Sequence, residues 1–167
     1  PELRERSFVV GSFGKTFHVT GWKTGYCIAT PALMQVFRQI YQFTNFCGVT
    51  PVQMALATFM AKHPEHITQL SGFYQAKRDL FNVGLKESRF QFTPSQGTYF
   101  QNLDYSAIRP DLNDIEMCQY LAEQHSIVAI PVSAFYQKTP EDLRLIRFCF
   151  AKKHDTLQQA GQILSAV

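Results

Sequence analysis

The sequence predicts an α/β fold, and three observations support this class. Short β-rich segments punctuated by glycine occur near the start of the chain, amphipathic helical segments follow them, and strands alternate with helices from Phe90 onward. The chain has 167 residues, of which 46% are hydrophobic, and this is enough for a buried core. The 15 Phe and 7 Tyr indicate a dense interior, an extensive subunit interface, or both.

The β-rich segments near the start frame a short loop. Phe8 to Phe13 and Trp22 to Ala29 are each predicted to form a short buried strand, and the polar loop between them carries Lys15. The polar run before the first strand starts at Pro1 without a preceding Met. We therefore expect the sequence to be a cut from a longer protein.

Thr-Pro pairs mark the next two helix starts. Thr30 precedes Pro31, which suits the first helical position, and an apolar stripe follows. Thr50 is predicted to cap the second of these helices, with the Gln53 side chain reaching back to complete the cap. Pro64 then interrupts the helical pattern.

A long amphipathic helix is predicted from Ile67 to Leu85, with Lys77, Asp79 and Lys86 on its polar side. A helix of this length often bridges two domains. The remainder reads as a compact α/β unit, in which Asn113 caps one of the helices. Its predicted strands are Tyr99 to Asp104, Ile127 to Pro131 and Leu143 to Ala151, and its predicted helices are Asp114 to His125 and Asp155 to Leu164.

Composition argues against several functions. The net charge of +3 comes from 16 basic and 13 acidic residues spread along the chain, without the basic cluster of a nucleic-acid groove. No apolar run approaches the ~20 residues that span a bilayer, and no segment resembles a signal peptide. The four cysteines lack a zinc-binding spacing and have apolar neighbours, so we expect reduced, buried thiols in a cytoplasmic protein without a metal site. They are Cys27, Cys47, Cys118 and Cys149.

The segment from Ser12 to Gly25 is the most informative in the sequence. Taken alone, Lys15 would be an ordinary solvated lysine. Gly14-Lys15-Thr16 matches the end of a phosphate-binding P-loop, but the spacing argues against that motif. Its first glycine would fall at Val9, and a start at Gly11 leaves too short a loop to wrap a triphosphate.

The same segment resembles the cofactor-lysine signature of the class I/II aminotransferases, which have fold type I. In that signature the lysine lies three positions after a serine, and a glycine and a cation follow six and eight positions after the lysine; all of these are in register here. The matching residues are Ser12, Lys15, Gly21, Lys23 and Gly25. The resemblance implies that Lys15 forms a Schiff base with pyridoxal 5'-phosphate and then moves the substrate's α-proton. It also implies that Ser12 and Lys23 bind the cofactor phosphate.

Two positions depart from the usual signature. Lys23 replaces an arginine and so exchanges a planar fork for a point charge, a change found in the kynurenine and methionine aminotransferase branch. His18 occupies a position that is more often small. We interpret His18 as a packing residue, with a position lining the site as the alternative.

Arg147 is the second candidate site residue. Strand periodicity places it with Leu145 and Cys149 on one face of a mainly apolar strand, where a guanidinium needs an anion. A structural ion pair is one interpretation. However, the stretch Ile146 to Phe150 resembles the late strand of kynurenine aminotransferases, and this implies that Arg147 binds the substrate α-carboxylate in bidentate fashion.

Three further stretches resemble the same branch. Gln96 to Phe100 resembles a small-domain strand that borders the substrate site, and Ala129 to Tyr136 resembles a loop that faces it. Gln42 to Pro51 corresponds to a region that approaches the neighbouring subunit's cofactor phosphate in these dimers, or else forms an ordinary loop between helices.

The resemblance covers essentially the whole chain but only the later part of the family's fold. Residues 1–63 would be the end of the large cofactor-binding domain, with edge strands and helices, and residues 64–167 would be the inter-domain helix and the small C-terminal α/β domain. The implied function is transamination between methionine, kynurenine, glutamine or an aromatic amino acid and a 2-oxo acid, in a homodimer. Cysteine-conjugate β-elimination at the same lysine and a non-catalytic dimerisation module are the alternatives.

Several parts of the family's cofactor site find no match in this sequence. They are the glycine-rich turn that contacts the phosphate, the Asn and Tyr that hold the phenolic oxygen, and the Asp that pairs with the pyridine nitrogen. That Asp keeps the ring able to accept electrons. We therefore expect the 167-residue chain alone to have negligible transaminase activity.

Overall fold

A computed structural model describes residues 2–167. Contacts between backbone positions divide the chain into two units, a first unit that ends at Leu70 and a second unit, Ser71–Val167. The division falls inside a long helix. The domain boundary after residue 63 remains a prediction.

The first unit begins with a two-stranded antiparallel sheet. Strand β1 (Val9–Ser12) pairs with β2 (Gly25–Ile28), and Ser12 lies opposite Gly25. Both strands were predicted. The prediction that they are buried is wrong, because most of their side chains are exposed and Val10 is 77% exposed. No second layer of the described unit covers this sheet sufficiently to bury it.

The connection between these strands is more ordered than the predicted loop. Lys15 lies in a one-turn helix, α1 (Phe13–Thr16), and Thr20–Trp22 forms a 3-10 turn. Trp22 therefore precedes β2 instead of starting it, since the strand begins only at Gly25.

Three helices follow: α2 (Pro31–Thr44), α3 (Thr50–Lys62) and α4 (Glu65–Gly84). The predicted Thr50 cap is wrong. Thr50 is already helical, Val49 occupies the cap position, and no side chain caps the helix. The break at Pro64 is confirmed, because α3 ends before it and α4 begins after it.

Helix α4 departs from the prediction at one position on its polar side. Asp79 and Lys86 are exposed, whereas Lys77 is buried at 9% exposure. Its Nζ donates a hydrogen bond to the carbonyl oxygen of Lys152 and lies 4.9 Å from the centre of the Phe73 ring. These partners compensate for removing the ammonium group from water.

The second unit is an antiparallel three-stranded sheet with helices. Its strands β3 (Phe100–Asp104), β4 (Ile130–Pro131) and β5 (Leu145–Cys149) are arranged in the order β3-β5-β4. All three predicted strands exist, although β4 is shorter than expected. Helix α5 (Asp114–His125) has the predicted bounds and the predicted cap at Asn113, and α6 (His154–Ser165) ends the chain's regular structure.

A single apolar cluster forms the interior of the second unit. One face of the sheet contributes Leu103, Ile146 and Phe148, and the helices pack against it. The other buried members include Phe81, Leu85, Phe90, Tyr105, Met117, Leu121, Phe150, Leu157 and Leu164. Burial alternates along β5, so Arg147 lies on the opposite, less buried face of the sheet.

The cysteines are less buried than predicted. All four are free, Cys47 is exposed, and the other three are partly buried, since two of them lie on strands with one open face. Within residues 2–167 no helix is both long and apolar enough to cross a membrane. The same residues contain no group of His, Cys, Asp or Glu side chains suited to a metal ion.

Candidate cofactor and substrate sites

The turn that carries Lys15 is built by local hydrogen bonds. Ser12 leaves β1 in an extended conformation, and its Oγ accepts a hydrogen bond of 3.2 Å from the Gly14 amide, which caps α1. The amides of Phe17 and Val19 donate to the carbonyls of Phe13 and Gly14 at 3.0 and 2.9 Å. Lys15 is exposed on this fixed turn, so the position of its backbone is set before any ligand binds.

The two ends of the Ser12–Gly25 loop are held together by the β1–β2 pair. The Phe13 amide donates to the Thr24 carbonyl at 3.1 Å, beside the Ser12–Gly25 pairing position. A Cβ atom on Gly25 would lie 2.4 Å from the Gly11 carbonyl oxygen, a distance at which the strands would have to separate. Steric contact therefore explains why glycine is needed at position 25. Nothing in the structure explains the glycine at Gly21, whose surroundings are open.

Two residues of this loop adopt left-handed backbone conformations that residues other than glycine rarely use. They are His18, with φ of 58°, and Lys23, with φ of 50°. Lys23 ends the 3-10 turn and is exposed. Such conformations cost about 1–2 kcal/mol and are found preferentially where a side chain must be aimed.

His66 contacts the loop, although the sequence alone indicated no role for it. Its Nε2 lies 2.7 Å from the Thr16 carbonyl oxygen, and because a carbonyl only accepts, Nε2–H is the donor. The imidazole stacks on Phe17 with 5.4 Å between ring centres and meets the edge of His18 at 5.6 Å. His18 therefore packs against a histidine that ties the end of α1 to the start of α4, as the packing interpretation expected.

The loop thus offers an amine, a second cation and a hydroxyl. Ser12, Lys15 and Lys23 belong to this one loop, and the Ser12–Gly25 segment contains no acidic residue. A lysine amine can condense with an aldehyde, and an ammonium group with a hydroxyl can bind a phosphate. The chemistry of the donor set therefore fits a phosphorylated aldehyde.

Arg147 lies in the second unit, on the central strand β5. In the sheet it is opposite Asn102 of β3 and Ile130 of β4. Its guanidinium carbon is 4.2 Å from the centre of the Phe100 ring and 4.2 Å from the centre of the Phe135 ring. Within residues 2–167 it makes no ion pair, and its Nε is buried without a hydrogen-bond partner. The structural ion pair considered from the sequence is therefore not present in this part of the protein.

The two rings beside Arg147 were not identified individually from the sequence. Phe100 ends the stretch Gln96 to Phe100, and Phe135 belongs to Ala129 to Tyr136, so both lie in stretches that were expected to border the substrate site. The stretches were a usable signal. Which of their aromatic residues face Arg147 depends on strand register and on the 3-10 turn Val132–Phe135.

The stretch Gln42 to Pro51 spans the end of α2 and the loop before α3. Asn45 donates to the Tyr41 hydroxyl at 2.6 Å, and the Thr44 hydroxyl donates to the Tyr41 carbonyl at 3.3 Å. Phe43 and Phe46 are 86% and 78% exposed. Internal bonds account for the polar side chains, while the two phenyl rings face solvent in this chain.

Comparison with known proteins gives a consistent result. The model of the family Aminotransferase class I and II matches residues 2–164. A methionine aminotransferase of Escherichia coli is 46% identical over 164 residues, which are 98% of this chain and 42% of that protein. Human kynurenine–oxoglutarate transaminase 3 is 34% identical over 188 residues, which cover 99% of this chain and 40% of that protein.

Solved structures agree with these relatives. An Escherichia coli structure with a methionine aminotransferase function superposes with a TM-score of 0.94 at 45% identity, covering 100% of this chain and 43% of that one. N-succinyldiaminopimelate aminotransferase from Mycobacterium tuberculosis gives a TM-score of 0.86 at 33% identity, covering 98% and 42%. The predicted fold class, fold type I of the pyridoxal-phosphate-dependent aminotransferases, is confirmed. The chain spans less than half the length of these relatives.

Proposed function

Because the chain belongs to the class I and II aminotransferase family, we propose that the protein transfers an amino group between an amino acid and a 2-oxo acid. Its cofactor is pyridoxal 5'-phosphate, on which the family depends. The observation that carries the proposal is the Lys15 turn. It combines the family's lysine signature with a capped, strand-closed and locally strained loop that carries an amine, a second cation and a hydroxyl.

In this proposal Lys15 holds the cofactor through its Nζ. When its amine is free, Lys15 would remove the proton from the substrate's α-carbon and return a proton in the second half of the transfer. Bound pyridoxal phosphate supplies the conjugated ring that accepts the electrons of the α-carbon. The capped turn restricts the backbone of Lys15. The flexible side chain therefore moves the amine from a backbone position that is fixed.

Ser12 and Lys23 bind the cofactor phosphate. The Ser12 Oγ already accepts a bond from Gly14, so its hydroxyl hydrogen is available to donate to an anion. Lys23 contributes a point charge without the geometric selectivity of a guanidinium. Its left-handed backbone sets the direction in which its side chain leaves the loop.

Arg147 binds the substrate α-carboxylate. An arginine that contacts two aromatic rings and has no acidic partner in residues 2–167 is suited to a carboxylate that arrives from outside. The names of the relatives favour methionine or kynurenine as the amino donor, and the resemblance extends this set to glutamine and aromatic amino acids. Lys23 in place of arginine supports the same branch.

The test is amino transfer by the full-length protein that contains this chain. With pyridoxal phosphate, methionine or kynurenine and a 2-oxo acid, we expect one new amino acid for each donor consumed and no ammonia. Lys15→Ala is expected to reduce the rate by at least about a thousandfold, because it removes the nucleophile and base together. Ammonia and a 2-oxo acid released from a cysteine conjugate, without amino transfer, would indicate a β-lyase instead.

The proposal also covers the oligomeric state, the activity of the isolated chain and the cellular location. We infer a homodimer, in which the exposed Phe43 and Phe46 of the Gln42–Pro51 stretch face the partner. The 167-residue chain alone should show negligible transaminase activity, because no Asp in it matches the ring-nitrogen motif. The four free cysteines support a cytoplasmic protein. Ordinary turnover by the purified 167-residue chain would contradict the second of these inferences.

A further inference from the structure

The Arg147 guanidinium is packed between two aromatic rings that come from different elements. Phe100 belongs to β3 and Phe135 to the 3-10 turn after β4, so one ring comes from a strand that flanks β5 and the other from the turn that follows the second flanking strand. The guanidinium carbon is 4.2 Å from each ring centre. Both distances are within the range of a favourable cation–π contact.

This packing decides which part of the guanidinium a ligand can reach. Nε is buried among the residues that the structure describes, so an anion that arrives from solvent meets the terminal amino groups first. The rings lie close to the guanidinium on two sides. The two terminal amino groups are therefore the part left for an anion.

Phe135 has an exposure that core packing does not explain. It is 59% exposed, although it belongs to a turn whose Val132 is buried. A large apolar ring held at the surface over a cation contributes little to the interior of the unit. Its contact with Arg147 gives it a specific role.

We propose that Phe100 and Phe135 are positioning residues that hold Arg147 for end-on, bidentate binding of the substrate carboxylate. The inference rests on the proposed amino transfer. A free arginine side chain loses considerable rotamer freedom when it binds a ligand. Two rings that fix the guanidinium beforehand remove most of that loss, so the carboxylate meets a preorganised fork.

The first test observes the guanidinium directly and does not depend on activity. In full-length protein labelled with ¹⁵N-arginine, the Arg147 Nε–H signal is identified by its loss in Arg147→Lys. We expect this signal to be shifted upfield by the two rings and protected from exchange with water. Phe135→Leu should remove about half of the upfield shift, because Phe100 lies at the same distance, and should weaken the protection from exchange. Phe73→Leu is the matched control, because Phe73 is an exposed ring, 47% accessible, that contacts another cation, Lys77.

The second test separates binding from chemistry. Phe135→Leu should raise KM for the amino donor about tenfold with a smaller change in kcat, since positioning for ground-state binding is lost. Phe135→Tyr keeps a ring over the guanidinium and should restore KM to within about twofold of the parent value. Phe73→Leu should leave both constants unchanged.

Each outcome has one meaning. An altered Nε–H signal with a raised KM that tyrosine rescues supports the proposal. An unchanged signal, or an altered signal with an unchanged KM, overturns it. If the unsubstituted protein does not transfer amino groups at all, the proposed function fails, and the Nε–H signal alone decides whether the rings hold Arg147.

Discussion

The two units of the chain differ in how much apolar surface they bury. In the second unit Leu103, Ile146 and Phe150 are at most 1% exposed and belong to one continuous core. Among the described residues up to Leu70, Leu56 is the one buried apolar side chain. Many other apolar residues of that first unit are exposed, and Val10 is 77% exposed.

This difference indicates two ways of holding a functional residue. The second unit has an interior that can offset the entropy of ordering its backbone, and Arg147 lies on the outer face of a sheet backed by that interior. The first unit has little interior, so the Lys15 turn depends on local devices: the Ser12 cap, the strand pair and the His66 bond. In the isolated chain we therefore expect the first unit to lose structure before the second.

The largest expected contrast is between apolar truncations in the two units. Ile146→Ala in the core of the second unit should lower the free energy of unfolding by about 2–5 kcal/mol. Phe43→Ala, at a ring that is 86% exposed, should change it by less than about 0.5 kcal/mol in the 167-residue chain. Urea unfolding followed by far-ultraviolet circular dichroism measures both, and Trp22, the single tryptophan, reports the first unit separately.

The same comparison becomes sharper in the full-length protein. If the proposed dimer covers Phe43, then Phe43→Ala should become destabilising or weaken association there, while the cost of Ile146→Ala stays similar. Equal costs for the two truncations in the isolated chain would contradict the contrast in burial.

A close helix contact gives the next effect. A Cβ atom on Gly161 of α6 would lie 2.9 Å from the Cα atom of Gly84 in α4, so both backbones would have to move. Gly161→Ala should cost about 1–3 kcal/mol. Gly72→Ala, in open space on α4, should instead stabilise the helix by up to about 1 kcal/mol. Thermal unfolding should show shifts of opposite sign, and shifts of the same sign would contradict the packing described.

Helix caps provide a smaller contrast. Asn113 and Glu116 form a reciprocal capping box at α5, so Asn113→Ala should cost about 1 kcal/mol. Thr50→Ala should change stability by no more than a few tenths of a kcal/mol, because Thr50 caps nothing. Urea unfolding of the two variants measures the difference. A cost at Thr50 as large as that at Asn113 would restore the cap predicted from the sequence.

A further expected difference is a pH dependence of the second unit, which appears only in alkaline solution. Burial raises the pKa of the Tyr105 hydroxyl from 10.0 to about 12, and burial raises that of the Cys118 thiol from 9.0 to about 11. The unfolded chain releases these protons at lower pH, so their stabilisation is complete below about pH 9 and is lost as the pH rises toward 12. Tyr105→Phe should flatten the fall in the free energy of unfolding between pH 10 and 12, which urea unfolding at several pH values measures.

Local signals in the sequence predicted much of the fold. The bounds and cap of α5 were correct because a capping box and an apolar stripe are contained within the helix itself. The α1 turn was missed because four residues carry no periodic signal. The burial of Lys77 was missed because its acceptor, the Lys152 carbonyl, is 75 positions away in the sequence.

In the candidate site, too, the sequence predicted residues that lie close together in the chain and missed contacts between distant ones. Lys15, Ser12 and Lys23 could be chosen because their spacing along one loop resembles a family signature. Their assigned roles, and that of Arg147, remain predictions. The sequence could not predict the contacts of Phe100 and Phe135 with Arg147. It also could not predict the hydrogen bond of His66, because these contacts join residues from separate parts of the chain.

Reductive trapping is the most direct test of the central claim that Lys15 holds the cofactor. Full-length protein is incubated with pyridoxal phosphate, reduced with borohydride, digested and mapped by mass spectrometry. We expect one stable adduct, on the peptide that contains Lys15, and expect Lys23→Ala to retain that adduct but to need more cofactor. An adduct on another lysine, or none, would contradict the account.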